Sequence, residues 1–68
     1  MSEYKFKTGD VIEGGRDFNV IRTIEKRIAK HLWRVHCYEP QSGRSHYCTF
    51  STTELKEMAN NFTFKPKQ

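Results

Sequence analysis

The chain has 68 residues, 35% of them hydrophobic, and a net charge of +4. That length allows one small domain, residues 1–68, near the size at which a single core barely suffices. No apolar run approaches the ~20 residues of a membrane span, and the opening MSEYKFKTGD lacks the apolar centre of a signal peptide, so the expected location is cytoplasmic, with no membrane partner. In that compartment Cys37 and Cys48 read as reduced thiols.

Residues 4–16 hold the least defined strands. Tyr4-Lys5-Phe6-Lys7 alternates as a short edge strand would, with lysines keeping the edge soluble. Thr8-Gly9-Asp10 reads as a turn, and Val11-Ile12 as a second short apolar piece ended by Gly14-Gly15.

The segment from Phe18 to Leu32 supports two readings. Val20, Ile21, Ile24, Ile28 and Leu32 recur at helical spacing, with Lys26, Arg27 and Lys30 off that stripe. Against a helix, Val20, Ile21, Thr23, Ile24 and Ile28 are all β-branched, and no Gly or Pro separates the segment from Trp33. The preferred reading is a strand over Phe18–Glu25 followed by a basic loop over Arg27–His31.

Leu32 to Phe50, LWRVHCYEPQSGRSHYCTF, reads as two strands joined by the turn Pro40-Gln41-Ser42-Gly43. Pairing Glu39 with Arg44 sets the register: Trp33 faces Phe50, Val35 faces Cys48, and Cys37 faces His46. Strict alternation then puts Arg34, His36, Tyr38, Ser45, Tyr47 and Thr49 on the other face. The first face is apolar and needs a cover; Cys37 and Cys48 are diagonal neighbours within it, read as small core residues. The second face is polar, aromatic and basic.

The cover comes next. Ser51-Thr52-Thr53-Glu54 fits a capping box, in which hydroxyl and glutamate satisfy free amides at a helix start. Leu55, Met58, Ala59 and Phe62 form one apolar stripe after it. The helix is predicted over 52–60, with Asn60-Asn61 as its stop. Phe62-Thr63-Phe64 reads as a final packed segment and residues 65–68 as a frayed tail.

The fold class expected is α+β, mostly β: an antiparallel three-stranded sheet over 18–50, covered by one C-terminal helix. Charge is concentrated on this unit. Between Arg22 and His46 lie Arg22, Lys26, Arg27, Lys30, Arg34 and Arg44 against only Glu25 and Glu39, which accounts for the whole net charge of +4. His31, His36 and His46 fall in the same window. A localised basic patch suits a polyanion.

The run W-R-V-H-C-Y-E-P-Q-S-G-R, then T-F-S-T-T-E-L, resembles the three-stranded sheet and helix of the plant ethylene-response-factor DNA-binding domain and of the arm-binding domains of tyrosine integrases. Trp33, Glu39-Pro40, Arg44 and Thr49 to Glu54 stand at the matching places, and the resemblance spans about Phe18 to Asn60. The first strand here, FNVIRTIE, is poorer in arginine than in those modules, and Cys48 stands where they favour glycine. F-K-T-G-D-V-I followed by a bent strand and hairpin is similar to Src-homology-three-like small barrels, including archaeal chromatin proteins that bind DNA through an open sheet face. That likeness implies an N-terminal strand closing the sheet into a barrel.

Both resemblances imply DNA binding through the open face, and the residue types agree. A guanidinium bonds guanine bidentately, which suits Arg34. Tyr38 and Tyr47 suit sugar or base packing, with His36 beside them. Arg22, Lys26, Arg27, Lys30 and Arg44 suit phosphate. Other chemistries have weaker support. If Cys37, His46 and Cys48 converged, a fourth ligand from His36 or His31 would give a tetrahedral zinc site, but no C-x-x-C pair is present and His36 belongs to the opposite face from Cys37, so no metal site is assigned. Gly14-Gly15 matches no nucleotide fingerprint. No catalytic residue and no cofactor is implied. The reading is a non-enzymatic DNA-binding module, with RNA not distinguished, acting in regulation or as a recombination accessory of the kind encoded by phages and bacteria. The alternative is a small protein-binding inhibitor or adaptor anchored by the same aromatic residues. Either works as a monomer or a small homo-oligomer.

Overall fold

The computed structural model describes residues 5–67. Five strands and one helix follow in the order β1 (Val11–Glu13), β2 (Ile21–Ala29), β3 (Leu32–Glu39), β4 (Arg44–Ser51), α1 (Thr52–Asn61) and β5 (Thr63–Lys65). All pairings are antiparallel, in the spatial order β4-β3-β2-β1-β5. The class is α+β and mostly β, as expected, but three details differ. The sheet has five strands rather than three, it stays open instead of closing into a barrel, and β5 follows the helix.

The β3–β4 hairpin has the expected register, from Glu39 opposite Arg44 to Trp33 opposite Phe50. Its turn closes because the Ser42 and Gly43 amides both donate to the Glu39 carbonyl, at 3.2 and 2.7 Å. Gly43 has φ +76°, a left-handed conformation that costs glycine nothing.

β2 departs most from expectation. It begins at Ile21, not Phe18, and runs through Arg27 to Ala29, leaving only Lys30-His31 as the turn into β3. The basic stretch is therefore strand, because Leu32, Trp33 and Arg34 offer it backbone partners. Two register shifts, between Ile24 and Lys26 and between Arg27 and Ala29, interrupt the ladder.

The core contains Ile12, Ile24, Val35, Cys37, Leu55 and Ala59, with Val20, Trp33, Cys48, Phe50, Met58, Phe62 and Phe64 packed around it. The sheet and the helix supply one layer each: β1, β2 and β3 give one side, and the predicted stripe of α1 the other. Ser51 caps α1 as expected. Its hydroxyl accepts from the Glu54 amide at 3.1 Å, and the Glu54 carboxylate accepts from the Ser51 amide at 2.9 Å.

The chain beyond the helix is ordered by pairing rather than frayed. Lys65 lies opposite Val11, and the Lys67 amide donates to Asp10 Oδ1 at 2.8 Å. Asp10 is completely buried and also accepts from the Lys7 amide at 3.0 Å. Lys5 to Lys7 form no strand; Phe6 instead sets its ring edge-on against Trp33 and Phe64. Tyr4 of that expected strand, and Gln68 of the expected tail, lie outside the described residues.

Candidate nucleic-acid interface

Pairing determines which side chains share a face. Across the sheet, Ser45, Tyr47 and Thr49 on β4 oppose Tyr38, His36 and Arg34 on β3. These in turn oppose Ile21, Thr23 and Lys26 on β2. The alternate set, Ile24, Val35, Cys37 and Cys48, belongs to the core under α1. The first set thus forms the face turned away from the helix.

Arg34, His36 and Tyr47 form a cluster on it. Arg34 Cζ lies 4.4 Å from the centre of the Tyr47 ring, a cation–π arrangement. The His36 and Tyr47 rings are 5.1 Å apart and tilted by 55°. Tyr47 is 56% exposed and Tyr38 38%, so both remain available to a partner. Glu25, Lys26, Arg34 and Tyr47 together line an open concavity.

The first β2 irregularity shapes that concavity. Ile24 pairs with Val35, so an unbroken ladder would put Glu25 opposite Arg34. The shift brings Lys26 there instead. Two residues of β2 thus meet one of β3, the geometry of a bulge, a device that re-aims side chains. Among the described residues, the ion pairs are Lys7–Asp10 and Lys65–Glu13, near β1, and neither Lys26 nor Arg34 takes part in one.

The remaining cations are dispersed. Lys30 is exposed in the β2–β3 turn, and Arg44 is exposed at the other end of the hairpin, opposite Glu39. Arg27 is exposed but pairs with Trp33, on the alternate set. Arg22 pairs with Cys37 and Ile12, so it belongs to the helix side. Its Nη1 donates to the Gly14 carbonyl at 2.9 Å, and its Cζ stands 5.3 Å from the Phe62 ring centre. Arg22 therefore binds the β1–β2 connection to the end of α1, away from the open face.

Sequence reasoning placed Arg34, His36, Tyr38 and Tyr47 together, and the structure does too. It missed Glu25 and the apposition of Lys26 with Arg34. No residue type marks a bulge in EKRIA, so no local signal pointed to either.

On the helix side, Cys37 and His46 are directly opposed and Cys48 is diagonal to Cys37. Burial pushes the Cys37 thiol up to about 12, helped by the hydrogen bond and charge of Cys48, while Arg22 pulls weakly the other way.

Comparison with protein-family models, curated proteins and solved structures finds no match for this chain.

Proposed function

We propose that this chain is a non-enzymatic DNA-binding module, in regulation or as a recombination accessory, and that the face of β2, β3 and β4 turned away from the helix is its contact surface. One observation carries the reading: Lys26 stands directly opposite Arg34. Like charges facing each other across a strand pair are destabilising. The sheet accepts that cost where a one-residue change of register would have set a glutamate there. An anion lodged between the two cations removes the repulsion, and a phosphate is such an anion.

The surrounding side chains suit the same ligand. A two- or three-stranded sheet fits the major groove, where basic side chains position the backbone and a few others read base edges. Arg34 is the candidate for guanine, Lys26, Lys30 and Arg44 for phosphate, and Tyr38, His36 and Tyr47 for packing on sugar or base. Arg27 lies at the margin, and Arg22 drops out because its guanidinium is engaged on the other side.

A salt titration of binding to random duplex DNA tests this. If Lys26, Lys30 and Arg44 each neutralise a phosphate, log affinity should fall against log salt with a slope of about −3. Absence of binding at low salt sinks the reading. In that event the exposed Tyr38 and Tyr47 favour the second one, a protein-binding adaptor.

A further inference from the structure

Cys37, His46 and Cys48 occupy the helix side of the β3–β4 hairpin, opposite the cationic face. One ligand atom from each lies within 4.8 Å of the other two. The hairpin ladder holds all three: Cys37 pairs with His46, and Cys48 follows two residues along the same strand. Alternation therefore puts His46 and Cys48 on one side without any ordering of a loop. Cys37 is buried, Cys48 half-buried and His46 exposed, so the triangle opens to solvent through the imidazole.

The donor set has a clear preference. Thiolates with an imidazole select zinc over the hard cations magnesium and calcium. In a tetrahedral zinc site the donor atoms stand about 3.5–3.8 Å apart, given Zn–S near 2.3 Å and Zn–N near 2.0 Å. Since no pair is more than 4.8 Å apart, closing the site asks for at most about an ångström per pair, within the reach of side-chain rotation on a fixed hairpin. The spacing C-x8-H-x-C escapes the usual loop-borne motif because the ligands face each other across strands.

We propose that Cys37, Cys48 and His46 bind one zinc ion, with a fourth position open to solvent and filled by water or an exogenous ligand. Each thiol releases its proton to solvent as its sulfur–zinc bond forms, and His46 binds through a neutral ring nitrogen. Nothing is oxidised or reduced. Two thiolates balance the dication, so the loaded site carries no net charge beside the core. The site does not depend on the DNA reading, since it uses the other side of the sheet.

Cobalt(II) is the probe. The whole metal-free protein, kept reduced by a phosphine, is titrated with cobalt and then with zinc. The expected result is a single bound equivalent with near-ultraviolet thiolate charge-transfer bands and tetrahedral visible bands, all lost when zinc is added. His46→Ala and Cys48→Ser should each weaken cobalt binding by more than about 100-fold, beyond the ~10–100-fold effect of changing a supporting neighbour. Circular dichroism checks that each variant is folded. Cys37→Ser alters the core, so the test rests on His46→Ala and Cys48→Ser. His31→Ala, in the β2–β3 turn, should bind cobalt as the parent does. The proposal is overturned if the folded parent shows no thiolate charge transfer, or if folded His46→Ala binds cobalt as tightly as the parent.

Discussion

Trp33 Nε1 donates to Thr52 Oγ1 at 2.9 Å, joining the start of β3 to the first residue of α1. The Thr52 amide donates in turn to the His31 carbonyl at 2.9 Å, so one threonine ties the helix start to both β3 and the turn before it. Thr52→Val keeps the shape and leaves the indole N–H without its acceptor. The expected cost is about 1–3 kcal/mol in urea unfolding. Adding Trp33→Phe to that variant should cost less than the single effects combined, because no donor is then left unpaired. Additive costs would mean that the bond carries no stability.

Asp10 gives the second prediction. Its carboxylate is fully buried and accepts from the amides of Lys7 and Lys67. Asp10→Ala strips both of their acceptor at once, for an expected loss of about 2–6 kcal/mol at ~1–3 for each orphaned group. Amide exchange at Lys67 should rise together with that at Lys7. Exchange that rises at only one of them would contradict a shared clamp.

The largest single truncation cost should fall on α1. Leu55 has no solvent exposure, whereas Phe50 is only half-buried. Leu55→Ala should lose about 2–5 kcal/mol, most of the stability of a domain this small. A near-native melting curve for that variant would mean that α1 does not seal the core.

The two thiols should behave differently in metal-free protein. Buried Cys37 should resist alkylation until the chain unfolds, and half-buried Cys48 should react first. Folded Cys37 keeps its proton to about 12, while an unfolded cysteine ionises near 9.0. Between those values the unfolded state binds fewer protons, so stability falls as pH rises. Denaturation midpoints should be level below about pH 9 on this account and decline above it. Cys37→Ala should flatten the decline; an unchanged decline would assign it to another group.

On the open face, Arg34→Ala should weaken a preferred duplex site by about 1–3 kcal/mol and flatten sequence preference. Lys30→Ala should weaken all duplexes alike and reduce the salt slope by about one unit. Melting should move by no more than about half a kcal/mol for the exposed Lys30. For Arg34, loss of its place over Tyr47 adds about 0.5–1 kcal/mol. Parent-like binding by both variants would remove this face from the interface.

The parts of the fold legible in the sequence are those set by neighbours in the chain. Glu39 and Arg44 sit a few bonds apart, so the turn residues between them determine the hairpin register. Ser51 and Glu54 announce the helix for the same reason. The end of β2 was illegible because residues 25–29 are all exposed. With neither face against a core, no alternation of polar and apolar residues records the strand. β5 was illegible because its partner, β1, is remote in sequence. The same division holds at the candidate site: the β3 and β4 members could be assigned from the hairpin, but Lys26 depended on a bulge that only tertiary pairing reveals.

The position of β1 between β2 and β5 also decides when the domain can finish folding. The hairpin and the capped helix form from contacts close in sequence, which are quick to find. β1 has only three residues, and one of its two neighbours arrives from the far end of the chain, where Lys65 Nζ meets Glu13 Oε2 at 2.7 Å across 52 positions. Closing so long a loop costs entropy before its contacts return anything. Assembly of the β1–β5 pair is therefore expected late in folding. On a ribosome, β1 must wait until nearly the whole domain has emerged before its second neighbour exists.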